Sequence, residues 1–168
     1  MESAWTDWRD EQEQVSRDAA AVRRHGLDVR DRLREAMARG DRVWVVTSGT
    51  RIVGQVIEVD DDLLSLRTLG GRTDIRLDPV PRIAIGSVEV AAGSGRTPPL
   101  SSGGFRGRLL DAETSGADYV VGVADGELLE GRVLVGRDHV DVLIDDEPGS
   151  ATTVTLPMIS FVRRSALR

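Results

Sequence analysis

Residues 52–69 read IVGQVIEVDDDLLSLRTL, and residues 131–144 read GRVLVGRDHVDVLI. Each is an apolar run carrying a glycine, broken by a polar turn that contains aspartate and resumed as a second apolar run. The two lie 76 or 77 residues apart: Gly54 and Val56 correspond to Gly131 and Val133, and Val59 and Asp62 to Val135 and Asp138. The correspondence extends outward. Upstream, Arg30, Arg32, Leu33, Ala36, Gly40 and Val45 correspond to Arg106, Arg108, Leu109, Ala112, Gly116 and Val121. Downstream, Pro81 and Ile83 correspond to Pro157 and Ile159. A single extra residue in the second hairpin turn accounts for the change of spacing. The chain therefore carries one module twice, and the repeat decides the architecture.

Within each copy the pattern is a helix followed by five short strands. In the first, segments 43–47, 52–59, 63–69, 73–77 and 82–88 are apolar and β-branched, with turn residues between them: Gly49–Thr50, Asp60–Asp62 and Gly70–Gly71. Five short strands joined by tight turns predict a small closed barrel. The second copy repeats the order: a helix over about 105–114 ending at Gly116, then strands at about 118–124, 127–135, 139–144, 151–156 and 158–163. Gly54 and Gly131 fall in mid-strand, where glycine weakens a strand unless the backbone bends or another backbone comes close.

Residues 3–39 read as helix. Trp5, Trp8, Val15, Ala19, Val22, Val29, Leu33 and Ala36 form a stripe at spacings of three and four, with Gln12 and Gly26 as weak positions. The stripe either covers the first barrel or pairs two chains as a coiled coil. Gly40 is placed to stop the helix, since positive φ suits glycine there. The expected organisation is an N-terminal helix over 1–40, a first barrel over 41–90, a linker over 91–104 (AAGSGRTPPLSSGG) and a short helix plus second barrel over 105–168.

Composition narrows the function. There is no cysteine, hence no disulfide or thiolate metal site. All 22 basic residues are arginine, and the net charge of −6 opposes non-specific binding to nucleic acid or anionic membrane. No apolar run reaches membrane-span length and the N-terminus is acidic, so a cytoplasmic protein is expected. No phosphate loop, nucleophile elbow or acid–base pair is present, so neither an enzyme nor a cofactor is expected. His139 beside Asp138 and Asp141 lacks the geometry of a metal site, because adjacent strand residues point to opposite faces.

A helix, then five strands with a glycine inside a bent second strand, resembles the Sm-like (LSm) small β-barrel superfamily. Gly54, Val56, Asp60 and Leu63 fit the spacing of its first motif; Ile75, Arg76, Leu77 and Asp78, followed by Val80 and Ile83, approximate its second. The whole chain is also similar to two-barrel proteins of high-GC Gram-positive bacteria, on GRVLVGRDHVDVLI (131–144) and VTLPMISFVRR (154–164). The resemblance implies two tandem five-stranded barrels in a mainly β protein with an N-terminal helical segment. For RNA binding it implies a polar base reader after the Leu63 slot, where this chain has Leu64 in the first copy and Asp141 in the second. Of that apparatus Arg76 remains, with Thr152 as its expected counterpart. The expected role is an interaction or assembly module that self-associates or binds a protein. The alternative is a nucleic-acid-binding protein using Arg76, Arg30 and Arg32.

Overall fold

The computed structural model describes residues 28–79, 81–86, 103–144 and 151–166. The compact unit that holds the sheet runs from Leu33 to Arg168. Most of the expected N-terminal helix and its heptad stripe, and most of the expected linker, lie outside the described residues. The described part of the helix is α1, Val29–Arg39. Then come β1 (Arg42–Thr47), β2 (Thr50–Val59), β3 (Leu63–Thr68), β4 (Gly71–Arg76) and β5 (Arg82–Gly86). The second copy supplies α2 (Gly104–Ser115), β6 (Asp118–Val123), β7 (Leu128–Val135), β8 (His139–Leu143), β9 (Ala151–Thr155) and, after a 3-10 turn over Leu156–Met158, β10 (Ile159–Arg164). Both helices stop at the anticipated glycine: Gly40 has φ +73° and Gly116 φ +63°, conformations that cost other residues a steric penalty.

The protein is mainly β, as the turn spacing predicts, but the strands do not close into two barrels. They form one ten-stranded antiparallel sheet in the order β5-β1-β2-β3-β4-β10-β6-β7-β8-β9. The order of the first five repeats in the second five, and each half folds alike strand by strand. Closure fails because, among the described residues, β5 pairs with β1 alone, while the far edge of β4 is taken by β10 of the other half. Ile75, Asp74 and Thr73 lie opposite Phe161, Val162 and Arg163 there. Among the described residues the sheet ends on β5 and β9, each with one strand beside it.

The glycines of β2 and β7 hold the second strands close to the third. A Cβ on Gly54 would stand 2.6 Å from the Arg67 carbonyl oxygen, and one on Gly131 2.0 Å from that of Leu143. Neither distance is tolerable, so both positions require glycine for close backbone approach. An aromatic ring covers a glycine in each half, with the roles exchanged: Trp44 of β1 lies over Gly86 of β5, and Phe161 of β10 over Gly122 of β6.

Apolar residues fill the interior on both sides of the junction. Leu64, Leu66, Ile75 and Leu77 are fully buried. Leu63, from the first half, belongs to the core cluster of the second, with Phe105, Leu109, Val121 and Val142. All of Leu63–Leu66 is buried, so β3 is covered on both faces. A strand covered on both faces loses the alternation that marks a half-exposed one.

Candidate interface site

The sequence repeat is displaced near the junction. Leu63 lies opposite Arg76 in the first half, and its counterpart His139 lies opposite Thr155 in the second. The structural counterpart of Arg76 is therefore Thr155, not Thr152. The chain from His139 to Thr155 is three residues longer than that from Leu63 to Arg76, and the stretch from Thr155 to Pro157 is three shorter than that from Arg76 to Pro81. By the same register Asp141 corresponds to Ser65, and Val140 to Leu64. The two ends of the repeat also differ: Ile83 lies opposite Val45, whereas Ile159 lies opposite Val123, two residues along.

Along β4, alternation puts Arg72, Asp74 and Arg76 on one face and the buried Thr73, Ile75 and Leu77 on the other. Helix α2 packs on β7 and reaches across to β4. It brings Arg108 down onto the charged row. Arg108 Nη2 donates to Glu58 Oε2, and Arg72 Nη2 donates to the same oxygen at 2.6 Å. Arg72 Nε donates to Asp74 Oδ1 at 2.8 Å, which also accepts from Ser65 Oγ. Arg108 Nη1 reaches Asp111 Oδ2 at 3.2 Å. The Glu58 side chain is 4% exposed and that of Arg108 is 11% exposed. Burial acts to lower the Arg72 pKa, but the hydrogen bonds and charges of Asp74 and Glu58 outweigh it and hold the value up. Ionised groups this deep persist only as a paired, hydrogen-bonded network.

The start of α2 is fastened to the first half as well. Asp62 Oδ1 accepts from the Phe105 N–H at 2.9 Å. A Cβ on Gly104, which has φ +56°, would come within 2.2 Å of that same oxygen. Gly104 thus lets a carboxylate of one half cap a helix of the other. Ser48 Oγ of the first hairpin donates to Ser160 Oγ, a further bond across the junction.

Of the sequence candidates for nucleic acid, Arg76 belongs to this seam: its Nη1 donates to the Leu156 carbonyl of the second half, and its Nε is buried. Arg30 and Arg32 lie on α1. Arg30 stands 4.0 Å from Asp28, and Arg32 is exposed. Sequence reasoning missed Glu58, Arg72 and Arg108 as a unit. The available signal was the alternating Arg72–Asp74–Arg76 row, which resembles a solvated strand face until a helix covers it.

The second half has the same row with other residues. Glu58, Ser65, Arg72 and Asp74 correspond to Leu134, Asp141, Ala151 and Thr153. The hydroxyl–carboxylate bond survives with its ends exchanged: Thr153 Oγ1 donates to Asp141 Oδ1 at 2.6 Å. Leu134 is 43% exposed. His139 Nδ1 lies 2.9 Å from Asp138 Oδ1, and its pKa is raised by that hydrogen bond, against some desolvation and with help from the charge of Asp141. Among the described residues no three acidic or histidine side chains gather as a metal site, and no helix is long and apolar enough to cross a membrane. No family model, curated protein or solved structure matches this chain.

Proposed function

We propose that the protein is a non-enzymatic interaction module, built from two Sm-like five-stranded units joined edge to edge, that binds a protein partner at its open sheet edges in the cytoplasm. The observation that carries this reading is the β4–β10 seam. The molecule already uses strand addition reinforced by a helix to hold its halves together, and among the described residues β5 and β9 have no second neighbouring strand. A row of unused backbone donors and acceptors is a template for another strand.

The outward groups of β9 follow from the ladder. Leu156 N donates to the Asp138 carbonyl. Hydrogen-bonded and non-hydrogen-bonded pairs alternate in an antiparallel ladder. Val154 and Thr152 therefore face β8, while Thr153 and Thr155 turn their N–H and C=O outward. In β4, Leu77 N donates to the Asp62 carbonyl, so Asp74 and Arg76 face outward, where β10 meets them.

The test is capture of partners by the immobilised full chain from its native host, with and without nuclease, beside the T153P variant. Proline is tolerated in an edge strand whose N–H faces out, but it removes the donor. A protein captured despite nuclease and lost with T153P supports the reading. Capture that disappears on nuclease treatment favours the nucleic-acid alternative.

A further inference from the structure

We infer that the outer face of β5, β1 and β2 binds an acidic segment of a partner protein, one in which two carboxylates flank an apolar side chain. The site lies on a face of the sheet rather than at an edge, so it stands independently of edge docking.

Alternation sets the face. In β1, Val43 and Val45 are buried, while Arg42, Trp44 and Val46 turn outward. The register then fixes their neighbours. Arg42 lies opposite Gln55, which lies opposite Arg67. Val46 lies between Arg51 and Arg82, and Trp44 between Val53 and Ala84. Two arginine-bearing rows therefore enclose an apolar row. Strands about 4.8 Å apart, rising about 3.3 Å per residue, put the two arginines of a row about 10 Å apart and the two rows about 13 Å apart.

All four arginines are exposed, and among the described residues none of them makes a hydrogen bond or ion pair. The nearby carboxylates are engaged elsewhere or stay clear. Asp41, next to Arg42, is buried and holds Arg39 at 2.8 Å. Glu58 and Asp74, beyond Arg67, hold Arg72 and Arg108. Asp78 precedes Arg82 by four residues, and Asp125 and Glu127 flank Gly126, which approaches the Ser48 carbonyl. These three pair with none of the four arginines. Four positive charges thus stand unneutralised on one face of a chain whose net charge is −6.

The fold does not require them. In the second half the same registers place Asp118, Leu128, Leu143 and Phe161 where the first has Arg42, Arg51, Arg67 and Arg82. The basic face belongs to one copy of the module, and it is the face that an anion complements.

An acidic polypeptide fits the pattern better than nucleic acid does. Single strands of nucleic acid bind on successive aromatic platforms. Here the enclosed row has one aromatic, Trp44, which already covers Gly86, beside the aliphatic Val53 and Ala84. An extended polypeptide puts residues i and i+4 about 13 Å apart on one side, with i+2 between them. Carboxylates at i and i+4 then reach the two arginine rows, where guanidinium groups take them bidentately. The apolar side chain at i+2 meets Trp44 and Val53, which is 38% exposed.

Fluorescence anisotropy with the full chain tests this. The probe is a labelled synthetic peptide carrying three copies of Glu-Ser-Leu-Ser-Glu, titrated at low ionic strength. R42Q and R82Q should each weaken binding about threefold, as loss of an exposed ion pair does, and together about tenfold. R137Q/R163Q removes the same charge from exposed arginines off this face and should leave the affinity unchanged. A peptide of the same composition, rearranged to Glu-Glu-Leu-Ser-Ser, should bind more weakly. Urea midpoints report whether the variants fold; where R42Q/R82Q lowers its midpoint, R51Q/R67Q replaces it. No binding, equal weakening by R137Q/R163Q, or equal binding of the rearranged peptide overturns the inference. So does a single-stranded RNA of equal charge that binds this face more tightly than the peptide.

Discussion

Replacing Glu58 with glutamine removes one negative charge from a site that holds two guanidinium groups. The Glu58 side chain is 4% exposed, those of Asp74 and Arg108 are 14% and 11%, and that of Arg72 is 33%. E58Q keeps the shape but leaves Asp74 as the one carboxylate shared by Arg72 and Arg108, with the exposed Asp111 touching Arg108 alone. Removing one partner of a buried ionic network costs about 3–5 kcal/mol, because a desolvated charge loses its compensation. Arg72 is exposed enough for water to screen part of its share, so the lower end of that range, about 3 kcal/mol, is expected. With a urea m-value of about 2 kcal/mol/M, the denaturation midpoint should fall by about 1.5 M. The second half supplies the control. The quadruple variant E58L/S65D/R72A/D74T installs the residues found at Leu134, Asp141, Ala151 and Thr153, so that the row presents a single carboxylate to Arg108, beside the exposed Asp111 of its own helix. Restoring balance should recover most of the loss, to within about 1.5 kcal/mol of wild type, since buried ion pairs exchanged for packed apolar groups are often neutral. Equilibrium urea unfolding monitored by tryptophan fluorescence measures both. An E58Q loss under about 1 kcal/mol, or a quadruple variant less stable than E58Q, would refute the reasoning.

Gly131→Ala and Gly54→Ala should each destabilise by about 1–3 kcal/mol from forced strand separation, with Gly131 the costlier because its added carbon meets the Leu143 oxygen at 2.0 Å against 2.6 Å at Gly54; equal or unchanged urea midpoints would contradict this. In an NMR titration His139 should show a midpoint above the ordinary 6.5, falling back in D138N, because the Asp138 hydrogen bond holds the proton on the ring. That raised value makes the His139 contribution to stability complete below the unfolded midpoint and lost as pH rises through the folded one. The lowered Asp138 value makes its contribution complete above the ordinary 3.8 and lost as pH falls through the folded value, so the pair stabilises most between the two. Short single-stranded RNA near physiological salt should give no sub-micromolar anisotropy signal, and R76A should destabilise the seam without changing that. A tight, sequence-selective complex lost in R76A would reverse the assignment of Arg76 to the seam.

The amino-acid sequence by itself determined the elements and their repetition, because those signals are local. The helix stops at Gly40 and Gly116, the strands of alternating Val, Leu and Ile, the turn at Gly70–Gly71 and the mid-strand Gly54 and Gly131 each depend on a few neighbouring residues. The repeat then carried the order of one half onto the other. Tertiary structure alone decided which edges meet. The residues Asp74 and Val162, 88 positions apart, lie side by side because β10 takes the edge of β4 that a closed barrel would give to β5. Nothing local distinguishes those two pairings, since each offers the same backbone groups. The site follows from that choice. Arg72, Asp74 and Arg108 have the spacing of solvated charges in the sequence, and they become a buried network with Glu58 because α2 of one half is laid across the strands of the other. Even the alignment of the copies near the seam needed the register. The insertion between β8 and β9 and the shortening before Pro157 cancel in length, which left Thr155 concealed as the true counterpart of Arg76.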